Sequence, residues 1–373
     1  MLDQYSKIIF LGGGVMAERL YRQIKDIDKK LIGVMDLQEP DQRVKTEFKG
    51  FNIESPGYYE SDLVSGDTAV IVAIGSVMVP FAVRKYLEQY RYGEGNLFVI
   101  NPYTSLRFFF IDDEIASEKR IPVTDAGYDL VSSLFHDSVS RRIYDLLIQS
   151  KPYDRIEDSY EIVAYSQIKD MYYFDEDYWQ SFVFTGEYNN IATVLDCGAY
   201  NGDSILPICG KIPQDEIYYY AFEPLKENAD SIRDNDAFLK VCQELNVIEC
   251  GVGENNTVLS FKLPDNGDKE GGRFIDCNES GSGNSLEIKK LDDLNLKIRG
   301  TLYIKMDIEG SELGALRGAE ALIKKYKPYL AVCLYHRKND LLEIPTYLYN
   351  LMPEYKFYLR GGYHTILWAI PEN

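Results

Sequence analysis

Apolar residues fall into two series of short runs, separated by a stretch with a different rhythm. The first run, residues 7–11, stops at Gly12, Gly13 and Gly14 and gives way to a helical spacing over 15–24. Further runs at 31–35, 69–74 and 97–100 end at Asp36, Gly75 and Asn101-Pro102. Runs of this length alternating with helical segments predict parallel strands joined by crossover helices. Residues 1–102 therefore read as a small Rossmann-like α/β domain.

Over 103–190 the strand rhythm gives way to helical patterns, and the stretch reads as a helical connector packed on the domain that follows. Asp137 is placed to cap a helix whose Val139, Ile143, Leu146 and Leu147 share one face, and Lys151-Pro152 ends it. An aromatic cluster around residues 171–179 lies just before the strand rhythm resumes. Parallel strands are expected at 193–195, 218–222, 247–249, 302–306 and 330–334, with an antiparallel pair at 356–359 and 365–370. Residues 191–373 thus form a second Rossmann-like domain, in which 265–284, rich in Gly, Asp and Asn, reads as a surface loop. No repeat of solenoid length is present.

Composition narrows the classes of function. With 45% hydrophobic and 27% charged residues the chain has the balance of a soluble globular protein. A net charge of −19 opposes nucleic-acid backbones and anionic membrane surfaces, and no basic patch offsets it. Six cysteines without a C-x-x-C pair read as reduced thiols, and with no membrane span or signal segment this implies a cytoplasmic protein. Thirty tyrosines suit sugar or aromatic ligands as well as a core. The composition leaves a homo-oligomer open.

The densest chemistry lies where the 193–195 strand runs into Asp196-Cys197-Gly198-Ala199-Tyr200-Asn201-Gly202-Asp203. Gly198 and Gly202 let backbone approach a ligand closely, so this loop is expected to cradle the amino-acid half of a nucleoside cofactor. The next strand ends at Phe222-Glu223-Pro224; Glu223, 27 positions after Asp196, is placed to accept hydrogen bonds from ribose hydroxyls. A third segment, residues 303–312, is physically odd, because a central parallel strand should be apolar on both faces. Here period two puts Tyr303, Lys305, Asp307 and Glu309 on one side. A Lys305–carboxylate pair that only orders the sheet is one reading. Asp307 and Glu309 emerge where open α/β sheets bind ligands. Of three histidines, His336 follows the 330–334 strand at that same edge, whereas His136 and His364 read as structural groups.

These segments resemble the FkbM-type methyltransferases, chiefly through Lys305-Met306-Asp307-Ile308-Glu309-Gly310-Ser311-Glu312, continued by Leu316-Arg317-Gly318-Ala319-Glu320, over roughly residues 172–371. The resemblance implies a class I methyltransferase sheet in the second domain, S-adenosylmethionine as methyl donor, and a hydroxyl oxygen of a sugar, glycan or natural product as acceptor. It makes Asp196, Gly198, Ala199, Tyr200, Gly202 and Glu223 cofactor contacts and places Gly251 and Val252 against the adenine. His336 is then expected as general base with Asp307 orienting it or serving as the base itself. In a variant, Asp307, Glu309 and His336 hold a divalent metal ion. The N-terminal Gly12-x-Gly14-x-x-Ala17, with Asp36, fits a nucleotide fingerprint. Two other functions stay open: a non-catalytic nucleotide-binding protein, and an NAD-dependent sugar-modifying enzyme driven by the N-terminal domain.

Overall fold

The computed structural model describes residues 2–24, 26–38, 45–74, 96–100, 125–149, 153–155, 191–210, 212, 216–262, 273–275, 284–337, 339–360 and 365–372. Gly75, Asn101-Pro102, Lys151-Pro152, the aromatic cluster at 171–179, Cys277 and His364 lie outside them. The chain divides into two compact units, Met1–Arg120 with Asp145–Ser166, and Ile121–Tyr144 with Gln167–Asn373. Both are built on mostly parallel sheets within an α/β fold.

The first unit holds β1 (Lys7–Leu11), β2 (Leu31–Met35), β3 (Glu47–Phe48), β4 (Phe51–Glu54), β5 (Thr68–Val72), β6 (Leu97–Ile100) and β7 (Tyr153–Arg155) in the order β3-β4-β2-β1-β5-β6-β7. The five strands from β4 to β6 are parallel, and β3 and β7 add antiparallel edges. Alternate residues feed two separate cores: Ile8, Phe10 and Ile71 on one face, Ile9, Leu11, Val70 and Val72 on the other. Both faces are covered, as a parallel sheet requires. β3, β4 and β7 do not follow from the apolar pattern, because strands of two to four residues carrying Glu, Asn or Arg leave no periodic signal. The described parts of the expected connector are otherwise helical, Asp125–Leu134 and Ser138–Gln149.

The second unit contains β8 (Ile191–Cys197), β9 (Tyr218–Phe222) and β10 (Glu244–Ile248), a set of short strands β11 (Gly251–Val252), β12 (Thr257–Lys262), β13 (Arg273–Ile275) and β14 (Asn284–Lys289), then β15 (Thr301–Met306), β16 (Tyr329–Cys333), β17 (Lys356–Arg360) and β18 (Ile366–Ile370). Its main sheet runs β10-β9-β8-β15-β16-β18-β17. The five strands from β10 to β16 are parallel, and β18 and β17 close the sheet antiparallel, as the spacing predicts. β10 begins three residues earlier than expected; it is a half-buried edge strand whose Glu-Leu-Asn-Val-Ile carries no continuous apolar run.

The four-stranded sheet β11-β14-β12-β13 corrects the reading of 265–284 as loop alone, since β13 lies inside that range and β14 starts at its end. Polar residues on its exposed strands hid it. This sheet is met by the helix Glu312–Gly318 at Gly318, where an added Cβ would lie 2.1 Å from the Gly253 carbonyl oxygen, so only glycine fits. Among the described residues no helix is long and apolar enough to cross a membrane, and the five described cysteines are free thiols.

Asp137 caps its helix as expected, accepting from the Ser140 N–H at 2.7 Å, and the same carboxylate pairs with the buried Arg360 of β17. Arg360 also donates to Ser140 Oγ at 2.6 Å, and that hydroxyl accepts from the Leu359 N–H at 2.9 Å. Burial works against the Asp137 charge, but Arg360 and Ser140 outweigh it and hold the carboxyl below its ordinary range. A depressed carboxyl contributes stability above its unfolded pKa and loses it as pH falls. Arg360→Met is therefore expected to destabilise the protein by about 2–4 kcal/mol at pH 7, with the difference from wild type shrinking towards pH 4. Urea denaturation across that range is the measurement, and a pH-independent difference would show that the pair is not its source.

Candidate active site

The main sheet reverses its order between β8 and β15, and ligands of open α/β sheets bind in the crevice at the carboxyl ends of such strands. Pairing sets the ends level: Cys197 stands beside Phe222 and Met306, and Met306 beside Val332. The segments after β8, β9, β15 and β16 therefore emerge side by side. They carry Gly198–Tyr200, Glu223, Asp307 and His336.

Beneath that edge lies a buried ion pair. Lys305 Nζ donates to Asp196 Oδ1 at 2.9 Å and to the Gly198 carbonyl oxygen at 2.8 Å, and Tyr219 donates its hydroxyl to Asp196 Oδ2 at 2.8 Å. Burial disfavours the ammonium, but Asp196 outweighs it, with Asp307 and Asp203 adding to the effect, and Lys305 stays charged. Asp196 is wholly buried, so it supports the Gly198 loop from below and does not face the crevice. The glycines also differ from expectation. Gly198 has φ +83°, and a Cβ there would lie 1.8 Å from the Asp307 carbonyl oxygen; at Gly202 it would lie 2.4 Å from the Phe238 ring. The space they leave is filled by protein.

Glu223, nearly buried, accepts from the Tyr200 N–H at 3.0 Å, the Leu225 N–H at 2.9 Å and Asn228 Nδ2 at 3.3 Å. A carboxylate has about four acceptor positions, so room remains for roughly one ribose hydroxyl. Burial pushes its pKa up to about 7, against the pull of those three donors. The amides of Gly198 and Ala199 are spent on the Phe222 carbonyl and that of Gly202 on Ala199. Together with the Tyr200 bond this commits four of the loop's amides and leaves the exposed Asn201 and Asp203, whose side chains offer acceptors, for a ligand. Acceptors of this kind suit an ammonium group, and with Glu223 they fit an amino-acid nucleoside. Gly251 and Val252 follow β10 as expected, but they are buried and paired to β14. Val252 lines a cavity of about 370 Å³ with Gly310, Ser311, Arg317 and Arg337.

The chain turns sharply after β15, with Glu309 (φ 54°) and Gly310 (φ 91°) both left-handed. The strand ends at Met306, so the alternation that groups Glu309 with Asp307 does not extend to it. The turn exposes Glu309 and folds Glu312 inward, where its Oε1 accepts from the Ile308 N–H at 2.9 Å and the Gly310 N–H at 3.4 Å. Glu312 Oε1 lies 2.8 Å from His336 Nδ1, while Glu312 Oε2 is buried without a hydrogen-bond partner among the described residues. His336 Nε2 lies 3.3 Å from Asp307 Oδ1 and 3.6 Å from Glu309 Oε2. Tyr335 donates its hydroxyl to Asp307 Oδ1 at 2.8 Å. Burial would lower the His336 pKa, but Glu312, Glu309 and Asp307 overcome this and push it up to about 10. A ring in that state already holds its proton at neutral pH and cannot take another.

The structure thus brings Asp307, Glu309 and His336 together and adds Glu312 and Tyr335, which sequence reasoning did not assign. Glu312 closes the Asp307-x-Glu309-Gly310-x-Glu312 motif, and its spacing was the available signal. His136 is exposed, edge-on to Tyr358, and takes no part in this group.

A parallel sheet of this order, closed by an antiparallel pair, has the outline of a class I methyltransferase sheet. Residues 196–359 match the family model of the methyltransferase FkbM domain. The second unit contains an FkbM methyltransferase domain, which marks the chain as an S-adenosylmethionine-dependent methyltransferase. The crystal structure of methyltransferase FkbM from Methylobacillus flagellatus KT is similar over 98% of this chain and 90% of its own, with TM-score 0.64 and 19% identity, a likeness of fold. The N-terminal domain of human METTL16 in complex with SAH covers 51% of this chain and 65% of its own at 12% identity and TM-score 0.28, too distant to carry an argument. No curated protein sequence matches the chain.

Two outcomes are expected from this geometry. Lys305→Met strands a buried carboxylate and should cost about 3–5 kcal/mol; adding Asp196→Asn should recover part of it in chemical denaturation, and strictly additive losses would dissolve the pair. Donor affinity, read by titration calorimetry, should rise between pH 6 and pH 8 as Glu223 ionises. Glu223→Gln should flatten that dependence and weaken binding by about 1.5–3 kcal/mol. A wild-type affinity that ignores pH would remove the Glu223 contact.

Proposed function

We propose that this chain transfers the methyl group of S-adenosylmethionine to a hydroxyl oxygen of a sugar, glycan or natural product. The observation that carries this reading is the placement of Asp307 and His336 Nε2 next to the Gly198 loop, whose backbone rests on the Asp307 carbonyl. The loop and Glu223 hold the donor's amino-acid and ribose parts. The bound donor supplies a methyl carbon made electrophilic by its sulfonium. Asp307, steadied by Tyr335, is within reach of an acceptor hydroxyl at this edge and takes its proton as the oxygen–methyl bond forms and the sulfur–methyl bond breaks. His336 positions that carboxylate. A strongly negative chain favours a neutral or cationic acceptor.

In the first unit, the β1 strand, the Gly12 turn (φ +96°) and Asp36 after β2 repeat the same edge geometry, which supports a nucleotide or nucleotide-sugar site there.

Asp307→Asn is expected to lower turnover about 10²–10⁴-fold while leaving donor affinity within a few-fold of wild type. The assay follows labelled methyl transfer to a panel of neutral and amino-sugar glycans, with anionic nucleotide sugars as the disfavoured comparison and donor affinity and melting temperature measured alongside. Turnover close to wild type would take the proton-accepting role from Asp307. Wild-type protein that binds donor yet methylates none of the panel would count against a hydroxyl acceptor.

A further inference from the structure

We infer that the second unit binds a divalent cation of the Mn²⁺ type through Asp307, Glu309 and His336 Nε2, with Glu312 and Tyr335 orienting the ligands. The inference deepens the methyl-transfer reading at the acceptor edge, and its test does not depend on that reading.

The two nitrogens of the His336 ring have different surroundings. Nδ1 is committed to Glu312 Oε1 at 2.8 Å, and Glu312 is itself anchored by two backbone amides. The ring therefore cannot turn. Its side chain is 8% exposed, and Nε2 makes no hydrogen bond among the described residues; it points instead between Asp307 Oδ1 at 3.3 Å and Glu309 Oε2 at 3.6 Å. Two carboxylates facing Nε2 require something positive there, which is a proton on the ion-free ring and a metal ion when one displaces that proton.

The spacing suits an ion. Ligand atoms about 2.0–2.2 Å from a small divalent cation stand roughly 3–3.5 Å apart in octahedral or tetrahedral arrangements. The ligating atoms of Asp307 and His336, together with that of Glu312, lie within 4.8 Å of one another. Two carboxylate oxygens and one borderline imidazole nitrogen form a mixed set that suits Mn²⁺ better than the all-oxygen preference of Mg²⁺, with the remaining positions left to water or an acceptor oxygen.

The surroundings of the ligands carry the inference furthest. Metal-binding histidines usually donate their other N–H to a carboxylate, and ligating carboxylates are themselves hydrogen-bonded. Both conditions hold here, in Glu312 on Nδ1 and the Tyr335 hydroxyl on Asp307. Glu309 supplies the solvent-side ligand, its left-handed backbone turning the exposed carboxylate back towards Nε2. A cation there would draw electron density from an acceptor hydroxyl and ease the loss of its proton to Asp307.

The experiment uses the full chain, stripped with a chelator and dialysed. Mn²⁺ is titrated in and the free ion followed by electron paramagnetic resonance, without donor or acceptor present. One Mn²⁺ per chain is expected. His336→Ala and Asp307→Asn should each abolish binding, and Glu312→Gln should weaken it about 10–100-fold. Circular dichroism and donor affinity show which variants remain folded, and Glu309→Gln, at an exposed position, should weaken Mn²⁺ binding without unfolding the chain. No saturable Mn²⁺ binding by folded wild type, or binding unchanged in folded His336→Ala or Glu309→Gln, overturns the cation site while leaving methyl transfer intact. Binding that follows the expected pattern in a protein that methylates no hydroxyl acceptor upholds the cation site and counts against the acceptor reading alone.

Discussion

A buried ammonium and a buried carboxylate meet in the middle of the methyltransferase sheet, and its reactive edge takes its position from that contact. Removing Lys305 and Asp196 from water costs several kcal/mol per ion, and only a well-hydrogen-bonded geometry offsets it. The geometry is of that kind: Tyr219 satisfies the second oxygen of Asp196, and Gly198 takes a second proton of Lys305. The pair spans β8 and β15, the two parallel strands between which the strand order of the sheet reverses. One contact therefore sets the register of the strands, the height of the Gly198 loop and the spacing of that loop from Asp307. On the same face the Tyr303 and Trp368 rings stack at 6.2 Å, extending the support towards β18.

The charges above this pair are arranged on the opposite principle. Lys305 and Asp196 neutralise each other, whereas Asp307, Glu309 and Glu312 crowd a single histidine. Asp340, buried near Glu312, is held well above its ordinary pKa chiefly by that burial, with the Glu312 charge adding to it. A fold gains nothing from assembling so many acids for stability alone, since like charges at close range destabilise it. Excess negative charge is instead suited to the proposed methyl transfer, in which a sulfonium docks and a proton leaves at this edge. Order sits in the sheet, and imbalance sits in the loops beyond it.

The alternation of apolar runs was enough to read both parallel sheets, because strands buried on both faces leave uninterrupted Val, Ile, Leu and Tyr runs such as 218–222 and 329–333. The four-stranded sheet was illegible for the converse reason: β12 and β14 expose much of their surface, and β11 has two residues. At the site, strand-end position singled out Glu223, Asp307 and His336, and the structure puts all three on one edge. Position along the chain could not tell which carboxylate meets the imidazole, since that is settled by the left-handed turn at Glu309-Gly310. It also could not separate a residue that faces the crevice from one that lies under it, which is why Asp196 reads as a contact and proves to be a support. Glycine was the most misleading signal, for Gly198 and Gly202 make room for the protein's own backbone and an aromatic ring.

The helical segment that precedes the catalytic sheet in sequence also finishes it. β17 is the last strand of its sheet, with β18 on one side, and its other side is met by the chain around Phe135: His136 donates its N–H to the Phe357 carbonyl at 2.8 Å, Ser140 accepts from Leu359, and an isolated bridge joins Phe135 to Phe357. An uncovered strand at a sheet margin is a template for pairing with other chains. A fragment cut at the start of β8 would retain every residue of the reactive edge yet bare that margin, with Arg360 stripped of its counter-charge. The natural cut for an autonomous catalytic fragment therefore falls before Asp125, and shorter pieces should self-associate through β17 whatever their chemistry.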